Sequence, residues 1–179
     1  MVILLLQFLK TASQGVQIQW VAADLVFTDG GTFVIVAYEK YAACVAEAAV
    51  LNANHWVELY GKTGYRFDHG GLVDLEAING FVYYTLREDG ELCGHVGFML
   101  IKAPYLGQLI ALDAFYYIKP EYRGTLEICK LLKFAGKHLM ENKIDTVVIS
   151  HKSGANLTPI LVRAGYQESG TTFFFKESQ

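Results

Sequence analysis

Hydrophobic and polar positions follow two different periods along this chain, and each period predicts a different kind of element. Apolar side chains recur every three or four residues in four segments, which indicates helices with one apolar face. These segments are 41–59, 68–79, 127–142 and 155–163. Runs rich in β-branched and aromatic residues indicate strands elsewhere. These runs are 16–37, 81–87, 92–102, 109–118 and 145–150, with a final strand after Gly165 and Tyr166.

The order of these elements predicts an α/β fold in three layers, with a mixed central sheet and helices on both of its faces. The run over 16–37 reads as a hairpin around Asp29 and Gly30, and its second arm is the first strand of the sheet. We therefore expect an apolar extension with a hairpin arm over 1–30, followed by a single domain over 31–179.

Charge and cysteine content exclude several classes of protein. The 15 basic and 18 acidic residues give a net charge of −3, so no global attraction for nucleic acid or an anionic membrane is expected. Cys44, Cys93 and Cys129 lie far apart among apolar neighbours. We expect them to be buried, reduced thiols of a cytoplasmic protein. Their spacing is not that of metal ligands, and no metal site is expected.

The first nine residues form a strongly apolar run. Spanning a bilayer takes about 20 apolar residues, so the run is too short for a membrane helix. A secretory signal would carry a basic residue before the run, and none is present. The segment before Gly30 is then expected either to cover a sheet edge or to pair with a second copy, which would make the protein a homodimer.

The junction between the strand over 109–118 and the helix over 127–142 carries the most specific chemical signal. An apolar strand passes through Pro120 into Arg123 and Gly124, and the helix follows. Backbone N–H groups in the first turn of a helix have no intrahelical acceptor and lie at the positive end of its dipole. Arg123 adds a permanent cation, so the junction predicts a phosphate or pyrophosphate site.

The run Ile118-x-Pro120-Glu121-Tyr122-Arg123-Gly124 resembles the acetyl-CoA-binding motif of the GNAT N-acetyltransferase superfamily, and the order of elements over 38–176 resembles the GNAT fold. The resemblance implies acetyl-CoA as acyl donor, with its pyrophosphate in the loop and its acetyl and pantetheine groups on the preceding strand. The implied cofactor-binding residues are Tyr116, Ile118, Arg123, Gly124, Thr125, Leu126, Glu127 and Ile128, with Asn156 on the pantetheine arm.

The sequence departs from the family pattern at two places. Leu126 and Ile128 stand where the family loop has small residues, and Leu161 stands where the family often has a tyrosine that protonates the departing thiolate. Within the superfamily, the Pro-x-Leu-x-x-x-Gly-Tyr ending is most similar to acetyltransferases encoded by phages and prophages. That similarity implies a place in the host cytoplasm.

Moving an acetyl group from a thioester to an amine requires a neutral nucleophile, a site for the oxyanion and an acid for the thiolate. Asp113 is the only acid inside its strand, where aromatic neighbours would raise its pKa towards that of a base. The alternative is an edge-strand acid bonded to loop N–H groups. His151 follows a strand at its carboxyl end, where α/β sheets bind ligands. Tyr116 and Tyr117 point to opposite faces, so one of them could supply the missing acid.

The candidate catalytic residues are therefore Asp113, His151 and Tyr117. His55 on the first helix is a further candidate, because the family builds its acceptor pockets partly from the first two helices. His95 lies on a strand between glycines and is expected to be structural.

Two functions follow from these residues. The first is an acetyl-CoA-dependent N-acyltransferase, in which an amine of a protein or small molecule attacks the thioester directly. The second is a GNAT-shaped phage protein with weakened or lost transfer chemistry that acts through protein–protein interaction. The departures in the loop and at Leu161, together with the apolar arm, motivate the second.

Overall fold

The computed structural model of the chain describes residues 23–27, 33–61, 64, 66–103, 107–123, 126–150 and 157–168. Six strands and four helices lie in this part of the chain. The strands are β1 (Ala23–Phe27), β2 (Phe33–Glu39), β3 (Phe81–Glu88), β4 (Glu91–Lys102), β5 (Leu109–Ile118) and β6 (Thr146–Val148). The helices are α1 (Tyr41–Tyr60), α2 (His69–Ala77), α3 (Glu127–Glu141) and α4 (Thr158–Ala164), with a short 3₁₀ turn at Pro120–Tyr122.

The strands form one sheet in the order β1-β2-β3-β4-β5-β6. The first five are antiparallel to their neighbours, and β6 alone runs parallel to β5. The antiparallel pairing of β1 with β2 confirms a hairpin in the first part of the chain, although its predicted beginning, residues 16–22, lies outside the described residues.

Helices cover both faces of the sheet, which confirms the predicted three-layer α/β arrangement. On one face, Tyr41 and Ala48 of α1 pack with Leu72 of α2 against Tyr83. On the other face, a larger core joins the apolar side of α3 to neighbouring strands, including Tyr84. Tyr83 and Tyr84 thus serve opposite layers, as successive side chains of a strand must. No described helix has the length and apolar character needed to cross a membrane.

The two long helices match their predicted ranges closely because their buried residues recur at helical spacing. In α3 the buried face includes Ile128, Leu132 and Leu139. The N-terminus of α1 is held by a distant carboxylate, because the Glu76 oxygens accept the N–H groups of Tyr41 at 2.6 Å and Ala42 at 3.1 Å. These two bonds between α2 and α1 satisfy donors that the helix itself leaves open.

The prediction of a buried strand over 145–150 is wrong in length and in burial. Only Thr146–Val148 forms a strand, and both end residues are exposed, since β6 is the outermost strand of the described sheet. The short last helix spans Thr158–Ala164 and ends at Gly165, whose φ of 99° is left-handed, as predicted. The expected final strand lies outside the described residues.

A β-bulge bends β5 in its middle. Gly97 is opposite Phe115 and Phe98 is opposite Asp113, so Ala114 is the extra residue on β5. Gly97 is required there, since a Cβ atom would lie 2.5 Å from the Phe81 ring and 2.8 Å from the Phe115 ring. The bulge therefore changes the direction of β5 immediately before the segment that contains Tyr116 and Tyr117.

Candidate active site

The outer edge of β5 opens after its first few residues. β6 pairs with β5 only from Ile110 to Leu112, whereas β5 continues to Ile118. Beyond Leu112, no strand among the described residues pairs with this edge. Its peptide groups can therefore bond an extended ligand, as an added strand would.

Asp113 and Tyr116 lie at the base of this opening and bridge it to the segment after β6. The Asp113 carboxylate accepts the Ser150 N–H at 2.8 Å and the Ser150 hydroxyl at 2.9 Å. The Tyr116 hydroxyl donates to the Ser150 carbonyl oxygen at 3.4 Å. Burial raises the pKa of Asp113, although the bonds from Ser150 act against that shift. Of the two roles predicted for Asp113, these hydrogen bonds are those of the second, an edge-strand acid bonded to donors of a neighbouring segment.

Tyr117 lies on the opposite face of β5, under α1. Its ring packs with Leu51 and Leu92, and its centroid lies 5.3 Å from that of His55. Its hydroxyl donates to Glu58 Oε1 at 2.6 Å. Burial and the neighbouring carboxylate raise the pKa of Tyr117 to about 12. The hydroxyl is therefore protonated at neutral pH and is a hydrogen-bond and proton donor.

Arg123 completes a cluster with these groups. Its Nη2 donates to both Glu58 oxygens, at 2.9 and 2.7 Å, and its Nε donates to the Ile118 carbonyl at 3.0 Å. The guanidinium lies 5.2 Å from the centre of the Tyr117 ring. We call Glu58, Tyr117 and Arg123 the Glu58 cluster. Burial opposes ionisation of Glu58, but the bonds from Tyr117 and Arg123 outweigh it and lower its pKa.

The start of α3 carries both favourable and opposing features for an anion. The residue before the helix, Leu126, makes no side-chain cap, so the first-turn N–H groups lack that acceptor. Glu127 in the first turn is 7% exposed, and its Oε2 has no hydrogen-bond partner among the described residues. Lys130 lies 3.8 Å from the other oxygen of Glu127. A phosphate here would gain from the helix dipole and be repelled by the Glu127 carboxylate.

The remaining predicted site residues fall into two groups. Ile128 is buried in the core shared with α3, as is Leu161, where the family's tyrosine is missing, and Leu126 is 42% exposed. The other group lies outside the described residues. It comprises Gly124, Thr125, His151 and Asn156. The structure therefore brings Tyr117, Arg123 and the carbonyl of Ile118 together, whereas Asp113 and Tyr116 bind the segment after β6.

The functional interpretation of the sequence missed Glu58. Its side chain meets Tyr117 and Arg123 although 59 and 65 positions separate them in sequence. A local signal existed, because His55 and Glu58 are three residues apart and share a face of α1. An acid in the last turn of a helix also opposes the helix dipole, which makes Glu58 unusual at that place.

Other candidate chemistry has a structural explanation. His95 is fully buried, bonds the Tyr83 hydroxyl through Nδ1 at 2.9 Å, and has a pKa lowered to about 3 by burial. Cys44, Cys93 and Cys129 are buried free thiols, as predicted. Within the described ranges, no group of three or more histidine, cysteine or acidic residues could hold a metal ion.

Solved acetyltransferases share the fold of this chain. An aminoglycoside acetyltransferase from an uncultured soil metagenomic sample, in complex with sisomicin, superposes with a TM-score of 0.64 at 11% identity, over 81% of this chain and 97% of that one. The ribosomal-protein-alanine N-acetyltransferase of Brucella melitensis biovar Abortus 2308 superposes with a TM-score of 0.63 at 18% identity, over 82% and 99%.

A third similar structure, AAC(6')-Iy in complex with the bisubstrate analogue CoA-S-monomethyl-acetylneamine, has a TM-score of 0.63 at 9% identity, over 82% and 99%. No protein-family model matches the sequence, and no curated protein matches it. At these identities the likeness shows a shared fold, and the activity has to be argued from the site.

Proposed function

We propose that the protein is an acetyl-CoA-dependent N-acetyltransferase that transfers the acetyl group directly to an amine. The observation that carries the proposal is the Glu58 cluster. It places a cation, a protonated tyrosine and a carboxylate at the end of β5, beside the open strand edge. The GNAT fold and the coenzyme A analogue bound to AAC(6')-Iy support the same assignment.

The residues present fit acetyl-CoA as the acyl donor. The edge of β5 beyond Leu112 would bond the amide groups of the pantetheine arm, as a peptide strand bonds a sheet edge. Arg123 and the first turn of α3 would hold the pyrophosphate. Bound acetyl-CoA supplies the thioester, whose carbonyl carbon the amine attacks.

The chain's own groups account for the charge and the protons of this step. As the C–N bond forms and the C–S bond breaks, a peptide N–H on the β5 edge would stabilise the thioester oxygen. The Tyr117 hydroxyl would turn from Glu58 to the departing sulfur and give it a proton. It would thereby take the place of the family's acid, which is missing at Leu161. The surplus proton of the amine nitrogen goes to water, and Tyr117 takes a proton back from water after the step. The products are the acetylated amine and free coenzyme A.

The acceptor is proposed at the level of chemical class. Structures with this fold include an enzyme in complex with the aminoglycoside sisomicin and an enzyme named for ribosomal-protein alanine. Amino sugars and peptide amines are therefore the first acceptors to test.

Calorimetry with acetyl-CoA tests the cofactor site without a known acceptor. We expect wild type to bind with a dissociation constant in the micromolar range, and Arg123→Met to bind at least about tenfold more weakly, because one charge-assisted bond to phosphate is lost. Arg163→Met, in the exposed last turn of α4, is the matched control and should bind as wild type does.

The absence of binding heat in folded wild type would overturn the proposal. It would then favour the alternative of a GNAT-shaped protein that acts through its surface. Equal weakening in Arg123→Met and Arg163→Met would show a general charge effect and remove Arg123 from the site.

A further inference from the structure

The pairing of β6 with β5 stops earlier than the chain requires. The last pair of the parallel ladder is Leu112 with Val148. Two residues further along each strand, the same register would place Ser150 opposite Ala114, the extra residue of the bulge. Ser150 follows the end of β6 and is outside the ladder. Another set of bonds therefore determines where it lies.

Side chains of β5 bind the polar groups of Ser150. Its N–H and its hydroxyl both donate to Asp113 Oδ1, at 2.8 and 2.9 Å, and its carbonyl oxygen accepts from the Tyr116 hydroxyl at 3.4 Å. A residue whose main-chain donor and acceptor are satisfied in this way does not compete for the main-chain groups of its neighbour. Asp113 and Tyr116 thus replace the strand pairing that Ser150 would otherwise make.

The other end of β6 shows the contrast, because an acid links the same two segments there without separating them. Asp145 accepts the Leu109 N–H through Oδ2 at 2.7 Å, and its own N–H donates to the Leu109 carbonyl oxygen at 2.9 Å. The main chains therefore stay in contact. Among the described residues, Ser150 makes no main-chain bond to β5. The Asp113 side chain lies between the two main chains and holds them apart.

The separated part of β5 is the part that the proposed function assigns to the pantetheine arm. An edge strand has one set of outward N–H and C=O groups, and a neighbouring strand would occupy them. If Ser150 paired with β5, it would take groups that the amides of the arm need. A carboxylate that accepts two bonds from one residue is a strong link, because hydrogen bonds to an ionised acceptor are short and strong.

We propose that Asp113 is a positioning residue, which binds Ser150 and so keeps the edge of β5 open for the pantetheine arm of acetyl-CoA. The inference rests on the proposed function. It gives Asp113 a role other than that of a general base, with Tyr116 as its partner on the carbonyl side of Ser150. The property required at position 113 is then an acceptor oxygen and not a group that titrates.

Calorimetry with two ligands tests the inference without a known acceptor. Coenzyme A carries the pantetheine arm, whereas its nucleotide half, 3′-phospho-ADP, lacks it and would bind through Arg123 and α3. Asp113→Leu, which has a similar size and no acceptor, should bind coenzyme A at least about tenfold more weakly than wild type, because hydrogen bonds to the arm are lost. Its affinity for 3′-phospho-ADP should stay within about twofold of wild type, because the phosphate contacts are unchanged.

Three variants serve as controls for this measurement. Asp113→Asn keeps an acceptor oxygen and should bind coenzyme A within about threefold of wild type. Asp145→Leu removes the acid at the other end of β6 and should leave both affinities unchanged. Ser150→Ala removes one of the two donors at an exposed position, so it probes the same contact even if Asp113→Leu does not fold. It should weaken coenzyme A binding by about two- to threefold.

An unchanged affinity of Asp113→Leu for coenzyme A would overturn the inference. Equal weakening for both ligands would also overturn it, because the substitution would then act on the whole fold. The same holds if Asp145→Leu weakens coenzyme A binding as much as Asp113→Leu does, or if wild type binds coenzyme A no more tightly than 3′-phospho-ADP. Failure of the proposed function is distinct from these results, because wild type itself would then bind neither ligand.

Discussion

Two clusters that each join a glutamate, an arginine and a hydroxyl lie against α1, and they differ in how completely the arginine is bonded. In the cluster near the first half of α1, Glu39 accepts from Arg87 and from the Thr85 hydroxyl. In the Glu58 cluster, Glu58 accepts from Arg123 and from the Tyr117 hydroxyl. Each carboxylate is shared between a guanidinium and a hydroxyl.

The surroundings of the two arginines are unlike. Arg87 bonds a second carboxylate, Glu47, through Nη1 and Nη2 at 2.8 Å each, and it also donates to the Gly90 carbonyl. Its side chain is 17% exposed. The Arg123 side chain is 42% exposed and has Glu58 as its only carboxylate partner among the described residues.

The difference separates a structural cluster from an exchangeable one. A guanidinium whose donors all have acceptors cannot change partners without leaving charges unpaired. One that is exposed and bonded to a single carboxylate can accept a phosphate at modest cost. A glutamate, an arginine and a hydroxyl therefore hold the fold together in one place and are available to ligands in the other.

Replacing each arginine by methionine should give the largest contrast in stability. Arg87→Met leaves Glu39 and Glu47 without their cation and should lower the free energy of unfolding by about 2 to 3 kcal/mol. Arg123→Met should lower it by less than about 1 kcal/mol. Urea denaturation followed by circular dichroism measures both. Similar losses in the two variants would show that the Glu58 cluster is as structural as the other.

Removing the hydroxyl from each cluster should separate stability from activity. Thr85→Val takes a donor from Glu39 in a fully buried position and should cost about 1 to 2 kcal/mol of stability, with kcat per folded molecule unchanged. Tyr117→Phe should leave stability nearly unchanged and lower kcat roughly 10²-fold, because the thiolate loses its acid. Thiol release on an amine panel measures kcat. Normal turnover in Tyr117→Phe would exclude the tyrosine as that acid.

Acid titration of stability should give the smallest of the three contrasts. Bonds from Arg87 and Thr85 outweigh the effect of burial and lower the pKa of Glu39, and the bond from Arg87 lowers that of Glu47. Carboxyls with a lowered folded pKa stabilise the protein above their unfolded pKa, about 4.5, and lose that contribution as pH falls through the folded value.

The destabilisation caused by Arg87→Met should therefore be largest above pH 5 and shrink as the pH falls below 4.5, whereas that caused by Arg123→Met should be small throughout. Urea denaturation at a series of pH values measures both. A pH-independent effect of Arg87→Met would mean that its packing, and not its ion pairs, carries its contribution.

The sequence predicted the strongly patterned elements well. The bounds of β5 are those of the predicted strand, and α3 ends one residue before its predicted end. Both elements have patterns that local burial dictates, an amphipathic face in α3 and an apolar run in β5. The prediction of a buried strand over 145–150 failed because a β-branched run has the same composition on an outer strand as on a buried one. The neighbouring elements decide which of the two it becomes.

The sequence by itself determined the class of fold, the loop after β5 and the presence of Arg123 and Tyr117 near it, because these depend on residues that are close along the chain. Only the tertiary structure decided what those residues bind. In the folded chain, the Asp113 carboxylate accepts hydrogen bonds from Ser150. Glu58, at the end of α1, accepts hydrogen bonds from Tyr117 and Arg123. Ion pairs between distant segments depend on how helices cross a sheet, and no local pattern of hydrophobic and polar residues records that geometry.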